Sequence, residues 1–195
     1  MQDLKAKKAE IRRRILAQRE AIPDDDRYQK SKAIRDRLFH FANFIEARIV
    51  LFYASFGSEV ATGEMIRNAL QINKIVALPF IDQKEKKIVP YKIDNFERDV
   101  QPGYRGILEP IPQRCKIMPV EHINLAIIPG IAFDERGGRL GHGTGFYDRF
   151  IPVLDVTTRK VALAFESQIV RQIPMEPHDR FIDIIITEDR IIYKI

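Results

Sequence analysis

The stretch that decides the fold is Leu125-Ala126-Ile127-Ile128-Pro129 followed by GIAFDERGGRLGHGTGFYDR, residues 130–149. Its first residues form a short, uninterrupted apolar run, the pattern of a buried strand. Beyond the glycines, Phe146, Tyr147, Phe150, Ile151 and Leu154 recur at helical spacing, with Thr144 or Gly145 as the cap. The chain is therefore expected to pass from strand to loop to helix. Glycines at 137, 138, 141, 143 and 145 allow positive φ and let backbone N–H groups come close to a ligand, since no Cβ keeps it away. At a helix N-terminus, unpaired N–H groups and the macrodipole favour an anion. The segment reads as a phosphate cradle, with a plain tight turn as the alternative.

The cradle is not a Walker A loop, because no Gly-Lys-Ser/Thr closes it. The spacing of Gly141, Gly143 and Gly145 also differs from the dinucleotide fingerprint. Arg139 and Arg149 are candidates for holding phosphoryl oxygens, since a guanidinium fork binds them bidentately. Asp148 would be repelled by a polyphosphate unless a cation, usually Mg²⁺, lay between them.

Outward from this loop the chain alternates helices and short apolar strands. Residues 3–21 form a helix with Ile11, Ile15, Leu16 and Ile22 as its stripe, stopped at Pro23. Asp24 or Asp25 caps a second helix that turns Tyr28, Ile34, Leu38 and Phe41 to one side. A strand at 49–53, a helix at 62–70 and a strand at 75–78 make one βαβ step. A turn at Lys84 to Lys87 precedes a strand at 88–91, and a segment rich in proline and glycine runs to about residue 121. Strands at 161–165, 184–186 and 191–193 follow, the last two as an antiparallel hairpin. The pattern predicts an α/β three-layer sandwich around a mainly parallel sheet. Ligands in such sheets lie outside the carboxyl ends of the strands, where the loops after Tyr53, Leu78, Ile128 and Phe165 would converge.

At 195 residues and 45% hydrophobic content the chain suits a single domain, 1–195. One cysteine, Cys115, cannot form an internal disulfide, and no apolar run approaches ~18 residues. Without a leader pattern or a membrane span, a cytoplasmic location is expected. A net charge of +5 and a pI near 9.3 favour an anionic partner. Much of that charge lies at Lys5, Lys7, Lys8, Arg12, Arg13 and Arg14, which on charge alone would be a solvated helix face. A basic RNA- or protein-binding module is one competing class, although no nucleic-acid motif is recognisable. A sugar-phosphate isomerase or another nucleotide transferase on the same scaffold is a second.

The run Pro129-Gly130-Ile131-Ala132-Phe133-Asp134, then Gly138-Arg139-Leu140-Gly141, then Gly143-x-Gly145-Phe146-Tyr147-Asp148-Arg149-Phe150, resembles the signature of the 5-formyltetrahydrofolate cyclo-ligase family. Further matches run along the chain: Lys8, Ile11-Arg12 and Arg19, Ser58-Glu59-Val60, Lys74, Gly106-Ile107-Leu108-Glu109-Pro110, and Ile173-Pro174-x-Glu176-x-His178-Asp179. The resemblance implies a Rossmann-like sandwich of the kind grouped with sugar-phosphate isomerases and CoA-transferases. It implies closure of 5-formyltetrahydrofolate to 5,10-methenyltetrahydrofolate with ATP and Mg²⁺, releasing ADP and phosphate. Folates with oligoglutamate tails would account for the surplus positive charge, and neither nucleic acid nor membrane is an expected partner.

The resemblance also implies residue roles. Lys8, Arg12, Arg139, Leu140, Gly141, His142, Gly143, Thr144, Gly145, Phe146 and Tyr147 would contact ATP, and Arg139, Tyr147 and Asp148 would be catalytic. Asp148 and Asp179 would hold Mg²⁺. Ala54, Glu59, His142, Gly143, Thr144, Gly145 and Phe146 would contact the folate, with Glu59 accepting paired hydrogen bonds from the pterin edge. Read alone, Glu59 suits a helix-cap region and Asp179 a turn. Phe56 joins Ala54, Phe146 and Tyr147 as a candidate ring wall. Three positions depart from the family pattern: Phe146 where a second tyrosine is common, Asn73 where glycine often precedes Lys74, and His142 at a variable site.

Overall fold

A computed structural model describes residues 2–194 of the protein. Helices α1 (Gln2–Glu20) and α2 (Asp24–Phe39) lead, separated by Pro23, whose fixed φ of −56° and missing N–H suit a helix start. Pro23 rather than an aspartate holds the N-cap position of α2. Asp24, Asp25 and Asp26 fill the first turn, where the macrodipole favours negative charge. Ile34, Leu38 and Phe41 are buried as expected, but Tyr28 is exposed. Six residues before Ile34 it lies about 240° around the helix, off the apolar stripe.

After α3 (Ala42–Glu46), strand β1 (Ile49–Leu51), helix α4 (Gly63–Gln71) and β2 (Ile75–Asp82) form the expected βαβ unit, with Ile49 opposite Ile75 in parallel register. Helix α4 ends in a Schellman motif: the N–H groups of Asn73 and Lys74 donate to the Leu70 and Ala69 carbonyls. Asn73 has φ 61°, and asparagine is the side chain that best tolerates that conformation after glycine. The departure from glycine at this position is thereby explained.

β2 continues past its expected end because Asp82 Oδ1 accepts the N–H groups of Lys84 and Glu85, folding the chain tightly into β3 (Lys87–Ile93). β4 (Val100–Pro102) pairs with β5 (Leu108–Pro110), and β6 (Lys116–Ile117) joins β3. β7 (Leu125–Ile127), the hairpin of β8 (Ala132–Phe133) and β9 (Arg139–Leu140), and helix α5 (Phe146–Phe150) follow. The chain ends with β10 (Arg159–Leu163), β11 (Ile184–Ile186) and β12 (Ile191–Tyr193).

The main sheet has the order β12-β11-β10-β7-β1-β2-β3-β6. Its centre, β11 to β2, is parallel, and the antiparallel strands lie at the two edges. Strand side chains alternate between faces. Val50, Val76, Leu125 and Leu163 pack with Ile34, Phe44 and Met65 of α2, α3 and α4. Leu51, Ala77, Ala126 and Ala162 pack instead with Phe150, Ile151 and Leu154. Three helices thus cover one face, and α5 with the turn after it covers the other. Ile15 of α1 packs on Ile131, Ala132 and Leu140, which lays α1 across the β8–β9 hairpin.

Candidate active site

A cavity of about 370 Å³ opens at the carboxyl ends of β1 and β7, beside the far half of β2. The expected convergence of loops is met in part. Tyr53 to Glu59, Pro129 to Asp148 and α1 contribute, and the segment after β10 adds Asp179, whereas its first part, with Gln168, stays outside. Gln168 from that segment supports the site by donating to the Gly130 and Ile131 carbonyls.

The glycine loop differs from a direct strand-to-helix turn, because the β8–β9 hairpin is inserted within it. Asp134 organises the hairpin: Oδ1 accepts the N–H groups of Arg136 and Gly138, and Oδ2 that of Ile173. A Cβ on Gly138 would lie 2.5 Å from Asp134 Oδ2, and one on Gly137 2.3 Å from the Ile182 carbonyl. These two glycines serve the hairpin, so they leave the cradle to Gly141, Gly143 and Gly145. Helix α5 spans only five residues, which makes its dipole a minor contributor to anion binding.

Hydrogen bonding orients the cradle. The Gly141 carbonyl accepts from Arg12 Nε at 2.8 Å and the Thr144 carbonyl from Arg149 at 3.3 Å, while the N–H groups of residues 141–145 donate to no acceptor among the described residues. The carbonyls are thus tied back and the N–H groups left free. Gly143 and Gly145 have φ of 87° and 70°. Arg149 also bonds the Lys86 carbonyl and lies over the Phe146 ring, so it braces the loop from outside the cavity.

Arg139 is buried beneath the cradle. One terminal nitrogen donates to Asp148 Oδ1 at 2.6 Å and the other to the Pro129 carbonyl at 3.3 Å. Its Nε is the one buried side-chain nitrogen or oxygen without a partner among the described residues. An orphaned donor of this kind is met by ordered water or by an acceptor on a ligand.

Lys8 and Arg12 do not form a solvated face. Lys8 is 6% exposed, and its ammonium lies 2.6 Å from both Glu176 and Asp179. Burial alone would lower its pKa, but the bonds to Asp179 and Glu176 outweigh it and raise the value. Burial would likewise raise the Asp179 carboxyl, and Lys8 together with the Glu176 N–H holds it below the usual range. Asp179 is therefore a turn acceptor and an ion-pair partner at once. The Arg12 guanidinium is destabilised by burial and supported by Asp179 and Asp148. Asp148 and Asp179 thus line one cavity, each already paired with a cation.

The other half of the cavity is mainly apolar. Tyr53, Ala54, Phe56, Tyr104, Phe146 and Tyr147 line it, together with Glu59, His142 and Glu109. Glu59 Oε2 accepts the Phe56 N–H at 3.0 Å, and Oε1 lies 3.4 Å from His142 Nε2. Thr62, not Glu59, stands at the N-cap of α4, which removes the helix-cap role. Arg19 donates to Ser58 and steadies this loop. Lys74 lies elsewhere, bonded to the Ile45 and Ala47 carbonyls. Sequence reasoning assigned no task to Arg19, Tyr104 or Glu176. Their contacts join distant segments, and only the matched positions of Arg19 and Glu176 offered a signal.

A mainly parallel α/β sheet that places a cationic glycine loop and an acidic, ring-lined pocket in one cavity has the layout of an enzyme that holds an anionic ligand beside a ring-bearing one. The chain belongs to the 5-formyltetrahydrofolate cyclo-ligase family, whose profile matches residues 4–188. It is 27% identical over 188 residues to the 5-formyltetrahydrofolate cyclo-ligase of Mycolicibacterium smegmatis, covering 94% of each chain. The solution structure of Aquifex aeolicus 5,10-methenyltetrahydrofolate synthetase superposes with a TM-score of 0.85 at 25% identity, over 96% of this chain and 92% of that one. The Mycoplasma pneumoniae 5,10-methenyltetrahydrofolate synthetase shares the fold, with a TM-score of 0.75 at 20% identity over 93% and 98%.

Proposed function

We propose that the protein converts 5-formyltetrahydrofolate to 5,10-methenyltetrahydrofolate while ATP becomes ADP and phosphate. The observation that carries this reading is the row of free N–H groups at 141–145 above the orphaned Nε of Arg139, in one cavity with Glu59. Family membership and the names of the Mycolicibacterium and Aquifex relatives support it.

The N5 formyl group is an amide, whose oxygen leaves poorly at neutral pH. Transfer of the γ-phosphoryl group to that oxygen makes it a leaving group. N10 then bonds the formyl carbon, and phosphate departs with the C–O electron pair. The protein's share is positioning and charge compensation. Gly141, His142, Gly143, Thr144 and Gly145 offer N–H groups to the phosphates, and Lys8, Arg12 and Arg139 offer positive charge. Leu140, Phe146 and Tyr147 bound the nucleotide side. Glu59 receives the amino-pyrimidinone edge of the pterin, and Ala54, Phe56 and Phe146 flank the rings.

Asp148 and Asp179 fit a hard cation such as Mg²⁺, because Asp148 Oδ2 and Asp179 Oδ1 make no hydrogen bond among the described residues, with exposed His178 Nε2 3.7 Å from the latter. When bound, Mg²⁺ offsets negative charge on the transferred phosphoryl group. The cationic α1 suits folates with oligoglutamate tails. The test is purified protein with 5-formyltetrahydrofolate and Mg-ATP, followed through the near-ultraviolet absorbance of the methenyl product and through ADP. Product without ATP, or no product, would overturn the proposal.

A further inference from the structure

One buried carboxylate in the cavity is left without a task. Glu109 on β5 is 5% exposed and reaches the cavity wall. The Tyr104 N–H donates to its Oε1 at 3.1 Å. It fits because residue 103 is glycine: a Cβ there would lie 2.5 Å from the carboxylate. The surrounding elements present Ile81 of β2, Gly103 and Tyr104 of the turn before β5, and Tyr147 of α5. Tyr104 and Tyr147 are its titratable neighbours, and it makes no ion pair among the described residues.

Of the other carboxylates that line the cavity, Glu20 is exposed and the remaining three are engaged. Arg139 pairs with Asp148 and Lys8 with Asp179, while Glu59 accepts the Phe56 N–H and faces His142. A buried carboxylate without a cation is costly unless a donor reaches it. Two backbone N–H groups, those of Tyr104 and Ile81, already reach Glu109, and a ligand N–H would be a further donor. Closure of the ring also releases one proton inside the cavity, because N10 enters as N10–H and leaves without it. The Tyr147 hydroxyl is a poor acceptor, since burial and then Glu59 raise its pKa.

Resting on the reaction proposed above, we propose that Glu109 is the base that takes the N10 proton. As the N10 lone pair bonds the formyl carbon, the N10–H pair stays on nitrogen and the proton passes to Glu109. The C–O bond then breaks, its electron pair leaves with phosphate, and the N5–C–N10 bridge keeps the positive charge. Burial pushes the Glu109 carboxyl above the usual carboxylate range, against the N–H groups of Tyr104 and Ile81. That direction favours a base working near neutral pH.

The experiment compares wild type with Glu109→Gln and Glu109→Asp in methenyl formation from pH 5 to 9. E109Q should lose about 10²–10⁴-fold in kcat with KM for both substrates little changed, and the acid limb of its pH profile should vanish. E109D, which keeps the carboxylate on a shorter arm, should regain part of the rate with a shifted acid limb. E109Q at the wild-type rate, or a loss confined to folate KM, overturns the proton role. If E109Q fails to fold, an E109D that keeps the wild-type rate and pH profile overturns it. A wild type that forms no methenyl product overturns the underlying reaction as well, which separates the two failures.

Discussion

Lys8 on the first helix and Asp179 near the end of the chain meet at 2.6 Å across 171 residues of sequence. With Glu176 they fasten α1 to the segment before β11, and Arg12, one turn further along the helix, donates to the Gly141 carbonyl of the glycine loop. Lys8→Met removes the central cation. ATP KM should rise about ten- to a hundredfold, the loss of a charge-assisted contact of about 1.5–3 kcal/mol. Amide exchange should show α1 opening in the same variant, and slow exchange there with unchanged ATP KM would contradict the clamp.

The clamp has a defined pH range. The Asp179 carboxyl lies below its usual pKa, so its contribution to stability is present above the unfolded value of about 3.9 and is lost as pH falls through the folded one. Lys8 is raised, so its contribution is full below about 10.4 and is lost as pH rises through its folded value. The difference in thermal midpoint between wild type and Lys8→Met should be constant from about pH 5 to 9 and shrink below about pH 4. Calorimetry across that range checks it.

Glu59→Gln should weaken folate about ten- to a hundredfold through loss of charge-assisted bonds of about 1.5–3 kcal/mol, leaving ATP nearly unchanged. Separate titrations with each ligand decide, and equal losses for both would remove Glu59 from the pterin site.

Gly143→Val tests the cradle. A Cβ there has room, with Arg12 Cζ nearest at 3.8 Å, yet φ of 87° strains any L side chain. The variant should fold with a modest drop in thermal midpoint and lose most ATP affinity, measured by calorimetric titration.

Asp148→Asn and Asp179→Asn should each fold and turn over slowly, and added Mg²⁺ should restore part of the rate. Mn²⁺ binding by paramagnetic resonance in the presence of a non-hydrolysable ATP analogue gives an independent reading. If Asp179→Asn matches wild type in both measurements, the cation rests on Asp148 alone.

The sequence by itself determined the layer pattern and the place of the cradle, because these depend on local periodicity and on glycine. Apolar runs at 49–51, 75–78 and 125–127 are buried strands in the parallel centre, as their composition requires. Other features only the tertiary structure decided. Gly137 and Gly138 look like Gly141 and Gly143 in sequence, but Asp134 and the Ile182 carbonyl claim them for the hairpin. Lys8 resembles any exposed helical lysine until Glu176 and Asp179 fold back onto it. Arg149 points away from the cavity because the Lys86 carbonyl and the Phe146 ring hold it there. Burial and pairing arise from segments far apart in the chain, and no local pattern records which cation a given carboxylate will meet.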